Sequence, residues 1–376
     1  MVILPSDFCN LLAKSGVDFF CGVPDSLLKN LCAHIDNFYS EQQHVITANE
    51  GNAVGLAIGR YLGSGKPAAV YMQNSGLGNA INPLASLADL QVYSIPMLLI
   101  IGWRGEPNVK DEPQHVKQGQ ITEHQLSIMG IPYVVIDATT DIEHAITPLI
   151  EKMTSRSQPV AVVVRKNTFS APDVNVQTSA TEFELRREVA LSILLEQMDS
   201  SDIVISTTGK TSRELYELRQ KRGENITDFL TVGGMGHTAS IAMGVCLSNI
   251  EKRVVALDGD GSMLMHMGAL PVIANKGCSN LIHIVLNNQC HESVGGQPTV
   301  AGDIDMEKLS LSCGYQHYYC ADDQASVVAN WEKLRELDGP IFFEIKIAKG
   351  ARADLGRPKS TPIENKRSFM QHIGNM

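Results

Sequence analysis

The feature that most constrains this chain is an alternation. Short runs rich in β-branched residues are separated by longer segments whose apolar residues fall at helical spacing. Strands connected in this way cannot pair as tight hairpins, so the pattern predicts parallel sheets covered by helices, an α/β fold. The runs fall into two groups. The first predicts strands at 19–23, 45–48, 68–72, 96–101, 133–136 and 160–164, and the second at 203–207, 231–232, 254–257, 282–286, 318–320 and 341–347. Between them the run NTFSAPDVNVQTSAT is polar, contains a proline and has no periodicity. It reads as a linker over 167–181, dividing a domain at 1–166 from one at 182–350. Composition shifts again beyond 350, where residues 351–376 form a proline-bearing tail of mixed charge that either floats or folds over something. No fixed-period repeat relates the halves, so any kinship between them is architectural.

Composition narrows the function classes. Of 376 residues, 44% are hydrophobic and 19% charged, as in ordinary globular chains of two or three domains. The net charge of −10 argues against a broad grip on nucleic acid, while a few local cations could still hold a small acidic substrate. Eight cysteines lie scattered with no CxxC pair, which speaks against a zinc cage or a disulfide framework and for reduced thiols. The opening MVILPSDFCN lacks a basic segment and breaks at Pro5, so Ser6 and Asp7 read as a helix cap and not as part of a secretory signal. No apolar stretch reaches the ~18 to 20 residues that span a bilayer. A soluble, cytoplasmic protein without a membrane partner is expected.

The chemistry-bearing residues gather at expected strand ends. The strand at 254–257 runs into Asp258, Gly259, Asp260, Gly261 and Ser262, then into a predicted helix with apolar residues at Met263, Leu264, Met267, Leu270 and Ile273. The two glycines would let the backbone approach a phosphate, and Asp260 could hold a hard cation against it. Alone, such a GDG run is a common turn. The next strand ends in Asn287 and Asn288, and neighbouring strand ends lie only ~4.8 Å apart, so Asp260 and Asn288 could meet at one ion. In the first half, HVITANEGNAVGLAIGRYLG sets Glu50 after a strand at the mouth of a helix with apolar positions 53, 54, 57, 58 and 61. A carboxylate there also complements the helix dipole.

A GDG run followed after about 26 residues by NN resembles the magnesium-diphosphate motif of thiamine diphosphate enzymes. The resemblance implies thiamine diphosphate and Mg2+ as cofactors, with Asp260, Asn288 and the carbonyl of Cys290 around the ion. It implies two thiamine diphosphate-binding domains, the first holding the aminopyrimidine and the second the diphosphate. Glu50 would then protonate the ring nitrogen, so that the cofactor's own amine can ionise its reactive carbon. GGMGH at Gly233 resembles the stretch in which an apolar residue, here Met235 beside Gly234, props the cofactor in its bent form. TTGKTSREL at Thr207 resembles the diphosphate loop, with Thr208, Gly209 and Thr211 as donors. It is not a Walker loop, because Val204 stands where that motif needs glycine.

A chain with no middle domain that carries GVPDS at Gly22, DEPQH at Asp111 and NNQCHESVGGQPT at Asn287 resembles the two-domain decarboxylases of this family. These act on small 2-oxo acids bearing a phosphonate or a sulfonate. The implied reaction is non-oxidative loss of carbon dioxide, in phosphonate biosynthesis for the phosphonate case. Asp25 aligns with an acid near the reacting carbon, though after a proline it is also an ordinary turn residue. His115, in a glycine-, proline- and charge-rich segment that reads as a mobile loop, and His291, beside Glu292, are further candidates for proton transfer. Lys210, Arg213, Arg104, Lys117, Arg352 and Arg357 are the cations from which substrate contacts would be drawn, and the tail run RADLGRP is expected to close on the site as a lid. Sites in this family are shared between chains, so a homo-oligomer is expected. The rival reading is a nicotinamide-dependent oxidoreductase, built on the GxGxxA spelling from Gly234 to Ala239 with Asp258 as the ribose acid. That reading leaves Glu50, Asp260 and Asn288 without a task. A non-catalytic phosphate-binding module would need neither Glu50 nor the proton donors near His291.

Overall fold

The computed structural model describes residues 2–171, 183–248, 251–292 and 294–374. The chain divides into two compact units, one holding the described residues up to 171, the other nearly all those from 183 on. Most of the expected linker, 172–181, lies outside the described residues. Its first residues belong to the first unit, where Phe169 is buried and packs edge-on against Phe8 at 5.2 Å between ring centroids.

The first unit carries β1 (Phe20–Gly22), β2 (His44–Ile46), β3 (Ala68–Gln73), β4 (Met97–Gly102), β5 (Tyr133–Ile136) and β6 (Pro159–Val164). They form one sheet in the order β2-β1-β3-β4-β6-β5, and every pairing is parallel. Strand residues bury alternately on two faces. Leu98, Ile100, Val160 and Val162 pack beneath the helices Pro5–Lys14, Lys29–Phe38 and Ile142–Arg156. Leu99, Ile101, Ala161 and Val163 pack beneath Glu50–Ser64, Leu77–Pro83 and Pro113–Ile128. Burial on both faces is why these strands read as unbroken apolar runs. The first helix starts at Pro5 with no side-chain cap, not at the expected Ser6–Asp7 cap, because proline fits the first helical position, where its missing N–H costs nothing.

The second unit holds β7 (Ile203–Ser206), β8 (Phe229–Leu230), β9 (Val254–Gly259), β10 (Leu281–Asn287), β11 (His317–Ala321) and β12 (Ile341–Lys346). Their order is β11-β12-β10-β9-β7-β8, again wholly parallel. Counted from its own first strand, each unit has the same order, 2-1-3-4-6-5, so the kinship absent from the sequence is present in the topology. The strand expected at 231–232 sits two residues earlier. Ile205 and Ser206 register with Phe229 and Leu230, and the chain then turns through Gly233 and Gly234, both at positive φ. The helix expected after the GDG run is broken into Asp260–Met265 and Ala269–Asn275. His266 leaves helical geometry and sets its ring against His237, 4.6 Å between centroids.

The tail is part of this unit. Its helix Pro362–His372 buries Phe369 against Phe229, and Asn365 bonds both the Leu230 N–H and the Asp228 carbonyl. Arg352 donates to Glu188 at 2.6 Å and to Glu217, whose other oxygen accepts the Gly356 N–H. This segment is stapled to the flank of its own unit, and its arginine is already neutralised. All eight cysteines are free thiols, and among the described residues no helix is long and apolar enough to cross a membrane.

Candidate active site

In each sheet the chain leaves the first strand toward one edge and the third strand toward the other. The crevice beyond the carboxyl ends of those two neighbours is where open α/β sheets bind ligands. In the first unit these strands are β1 and β3, and Asp25 follows β1 directly. It is fully buried. Its Oδ2 accepts the N–H groups of Leu27 and Leu28 at 3.1 and 3.2 Å, while Oδ1 is buried with no partner. Gly102, ending β4, makes room for it, since a Cβ there would stand 2.2 Å from Oδ2. Burial pushes the Asp25 carboxyl up to about 6, with the Arg104 cation the strongest opposing influence.

Glu50 opens the helix Glu50–Ser64, whose cap is the Asn49 side chain accepting from the Asn52 N–H. The Glu50 side chain is only 5% exposed, and Asn79 Nδ2 donates to its Oε2 at 2.7 Å. Its other oxygen occupies the space left by Gly76, where a Cβ would come within 2.4 Å of Oε1. His115 sits in the first turn of the helix Pro113–Ile128, not in the mobile loop expected from composition, because Pro113 starts a helix directly after the charged run. Its Nδ1 is buried without a partner, and burial together with Arg104 pushes the imidazole down to about 4. Lys117 on the same helix is exposed.

In the second unit the corresponding strands are β7 and β9, and three loops meet beyond them. Thr208 Oγ1 accepts the Gly233 N–H at 3.0 Å, and Ser262 Oγ accepts from both Thr207 Oγ1 and the Gly236 N–H. The loops holding Thr208, Gly209, Gly234, Met235, Gly259 and Gly261 are thereby bound to one another. Gly209, at φ 97°, turns the chain into the helix Lys210–Lys221, in whose first turn Thr211 is buried. Met235 and His291 flank Gly261: a Cβ built on it would stand 3.3 Å from the imidazole and 3.5 Å from the Met235 methyl. Burial lowers His291 to about 4, so its ring is neutral near neutral pH.

Asp260 and Asn288 are brought together. Strands β9 and β10 pair with Gly259 opposite Leu286, and the backbone N–H of Asn288 bonds the Asp260 carboxylate. Thr299 Oγ1 donates to Asp260 Oδ2 at 2.5 Å, and burial still pushes Asp260 up to about 6. The Asn288 amide is oriented from both ends: its Oδ1 accepts the Cys290 N–H and its Nδ2 donates to Glu292 at 3.0 Å. Glu292 in turn is held by Arg187 at 2.7 Å and Lys210 at 3.0 Å, and Arg187 grips Glu214 with two bonds. Burial pushes the Cys290 thiol up to about 12, which leaves its carbonyl as the useful donor. Asp258 differs from the rest. Its carboxylate accepts the Gly259 N–H and lies 3.5 Å from the buried His283, turned into the sheet, so a direct cofactor role or a ribose contact does not suit it.

A desolvated carboxylate beside an amide and a loop carbonyl is a set of hard oxygen donors. Among the described residues no group of three or more His, Cys, Asp or Glu side chains gathers around a metal position. The residues present therefore fit an ion that takes much of its shell from phosphate oxygens and water, as Mg2+ does. Thr299, the partner of Asp260, ends the NNQCHESVGGQPT run, and its place in that run is its only signal in the sequence. Asn79, the partner of Glu50, carried no signal at all.

Comparison with known proteins identifies the two domains. Residues 6–128 match the family model for the thiamine pyrophosphate enzyme N-terminal TPP binding domain, and residues 207–345 match that for the C-terminal TPP binding domain. Phosphonopyruvate decarboxylase of Streptomyces viridochromogenes is 36% identical over 96% of this chain and 93% of its own length. The protein of that name from Streptomyces hygroscopicus is 32% identical over 98% and 94%. Sulfopyruvate decarboxylase of Methanosarcina acetivorans is 29% identical over 95% and 94%. The chain belongs to the thiamine pyrophosphate enzymes. Within them it groups with the phosphonopyruvate decarboxylases, and it is an enzyme of the carboxy-lyase class.

Proposed function

We propose that the protein decarboxylates 3-phosphonopyruvate to phosphonoacetaldehyde and carbon dioxide, with thiamine diphosphate and Mg2+, in phosphonate biosynthesis. The observation that carries this reading is the Asp260–Asn288 junction: a buried carboxylate bonded to the backbone of a residue whose amide is fixed at both ends. Asp260, Asn288 and the Cys290 carbonyl would hold the cation. Thr208, Gly209, Thr211, Gly234, Gly259, Gly261 and Ser262 would hold the diphosphate, and Met235 would prop the cofactor. When bound, thiamine diphosphate supplies the nucleophilic carbon and the electron sink.

The protein's own part is to place protons. Glu50 would hold one at Oε1, the oxygen that Asn79 leaves open. Loss of carbon dioxide leaves a carbon that must gain a proton, and Asp25, with an open Oδ1 and a carboxyl near 6, is suited to deliver it. His115 and His291, both neutral near pH 7, are the further candidates for proton transfer. The first unit of one chain and the second of another would complete each site, so the active form is a homo-oligomer working without membrane or nucleic acid, in the cytoplasm.

The test is a side-by-side assay of phosphonopyruvate, sulfopyruvate and pyruvate, with apo-protein reloaded with thiamine diphosphate and Mg2+. Carbon dioxide released fastest from phosphonopyruvate, with no response to NAD, is expected. Preference for sulfopyruvate would overturn the substrate assignment in favour of the relative's sulfonate.

A further inference from the structure

Arg104, just past the end of β4, is a cation with no task in the scheme above. Its Nε and Nη2 donate to the two carboxylate oxygens of Asp111 at 2.8 and 2.5 Å, and its Nη1 donates to Ser26 Oγ at 2.8 Å, next to Asp25. Its backbone is pinned as well. Asn74 accepts the Arg104 N–H at 3.2 Å and donates to its carbonyl at 2.8 Å. Asp111 is itself anchored by the N–H groups of Gly105 and Glu112, both at 2.8 Å. A planar guanidinium held on two edges cannot swing, so its charge is fixed in place.

The two side chains on which that charge acts most, Asp25 and His115, each hold a buried, unpaired atom, Oδ1 and Nδ1. Each such group costs about 1–3 kcal/mol to leave unmet, a cost that a purely structural ion pair gains nothing by imposing. We propose that Arg104, locked by Asp111, is a positioning residue for Asp25 and His115: its fixed charge keeps Asp25 able to release a proton and His115 uncharged. This rests on reading Asp25 as the proton donor. The surrounding charges agree with it. The groups facing Asp25 are Arg104 and the Cys32 thiol of the helix Lys29–Phe38, and those facing His115 are Arg104 and Asp111. After burial, Arg104 is the largest influence on both, holding Asp25 down against desolvation and His115 down alongside it.

The experiment follows the His115 ring by carbon NMR across pH in the full-length protein, assigned with His115→Gln, together with the pH profile of kcat in the loaded enzyme. In Arg104→Gln, the ring titration and the Asp25-dependent limb should both move upward by about one pH unit. Arg104→Lys keeps the charge and should return both toward wild type. Asp111→Asn removes the counter-charge and should move both downward, which keeps the proposal testable if Arg104→Gln fails to fold. A folded Arg104→Gln with both titrations unmoved, or an Asp111→Asn that moves them upward or not at all, overturns it. Asp25→Asn is measured in parallel. Wild-type rate and profile there remove Asp25 from the mechanism and this proposal with it, whereas a lost rate beside an unmoved Arg104→Gln overturns the role of Arg104 alone.

Discussion

Replacing Asp260 by asparagine should stabilise the cofactor-free protein while abolishing its response to magnesium and thiamine diphosphate. The carboxyl is 3% exposed, and burial raises it from 3.8 to about 6 in spite of its hydrogen bonds. A raised carboxyl means that the folded state binds the proton more tightly than the unfolded chain. The group therefore costs nothing below about pH 4, an increasing amount as pH rises toward 6, and a constant amount above that. A gap of roughly two units corresponds to about 3 kcal/mol at neutral pH. Asparagine carries no charge to desolvate, but it accepts less well from Thr299 and the surrounding N–H groups, which returns about 1 kcal/mol per bond weakened. The net gain is then about 1–2 kcal/mol, at about 2–4 °C in Tm per kcal/mol for a unit of this size.

The assay is a thermal melt of chelator-stripped wild type and Asp260→Asn at pH 7.5 and pH 4.5, each with and without Mg2+ plus thiamine diphosphate. The variant should melt higher at pH 7.5, and the gap should close at pH 4.5, where the wild-type carboxyl is protonated. Only the wild type should gain from the additions at pH 7.5. A variant that melts lower than wild type by the same margin at both pH values would refute the desolvation argument. A variant that still responds to the additions would remove Asp260 from the cation site.

Other substitutions probe the remaining groups. Glu50→Gln should bind cofactor normally, by calorimetry, yet lose about 10²-fold or more in kcat, the usual worth of a placed acid or base; full rate would exclude Glu50. Gly76→Ala sets a methyl where only 2.4 Å separates it from Glu50 Oε1, so its kcat should fall to a level close to that of Glu50→Gln while the melt shows the fold retained. Because Arg352 is spent on Glu188 and Glu217, Arg352→Ala should leave the KM for the oxo acid unchanged; a tenfold rise would revive the lid. Phe369→Ala should cost about 3 kcal/mol in a denaturant melt by emptying a core position, so removing the whole tail would unfold its unit and could not report on a lid.

How much of this could be read from sequence follows from how each part is made. Strands such as Met97–Gly102, Pro159–Val164 and Leu281–Asn287 are buried on both faces, so their apolar runs stand out within a residue or two of their true ends. Phe229–Leu230 did not stand out, because a two-residue strand is defined by its partner β7 and not by its own composition. The break at His266 was hidden as well, since the apolar spacing from Met263 to Ile273 continues through it. The site divides along the same line. Asp25, Glu50, Asp260 and Asn288 stand at or near strand ends, where chain direction alone brings each to the crevice of its own unit. Partners distant in sequence, Asn79 from Glu50 by 29 residues, Thr299 from Asp260 by 39 and Arg104 from Ser26, the neighbour of Asp25, by 78, are set in contact only by the fold.

The shared strand order makes sense of this division. Both units place a crevice beyond their first and third strands, yet they furnish it differently. In the second, Gly209, Gly259 and Gly261 interrupt the side-chain wall and Asp260 supplies a desolvated charge, as holding an anion and a cation requires. In the first, Asp25 is buried with one carboxylate oxygen unpaired, the half-buried His115 has an unpaired Nδ1, and Glu50 is sheltered with one oxygen outside its bond to Asn79. A catalyst that must anchor a charged cofactor and still move protons gains from dividing the two tasks: the donors for a cation stand in one unit, and in the other a single guanidinium, that of Arg104, tempers a buried acid.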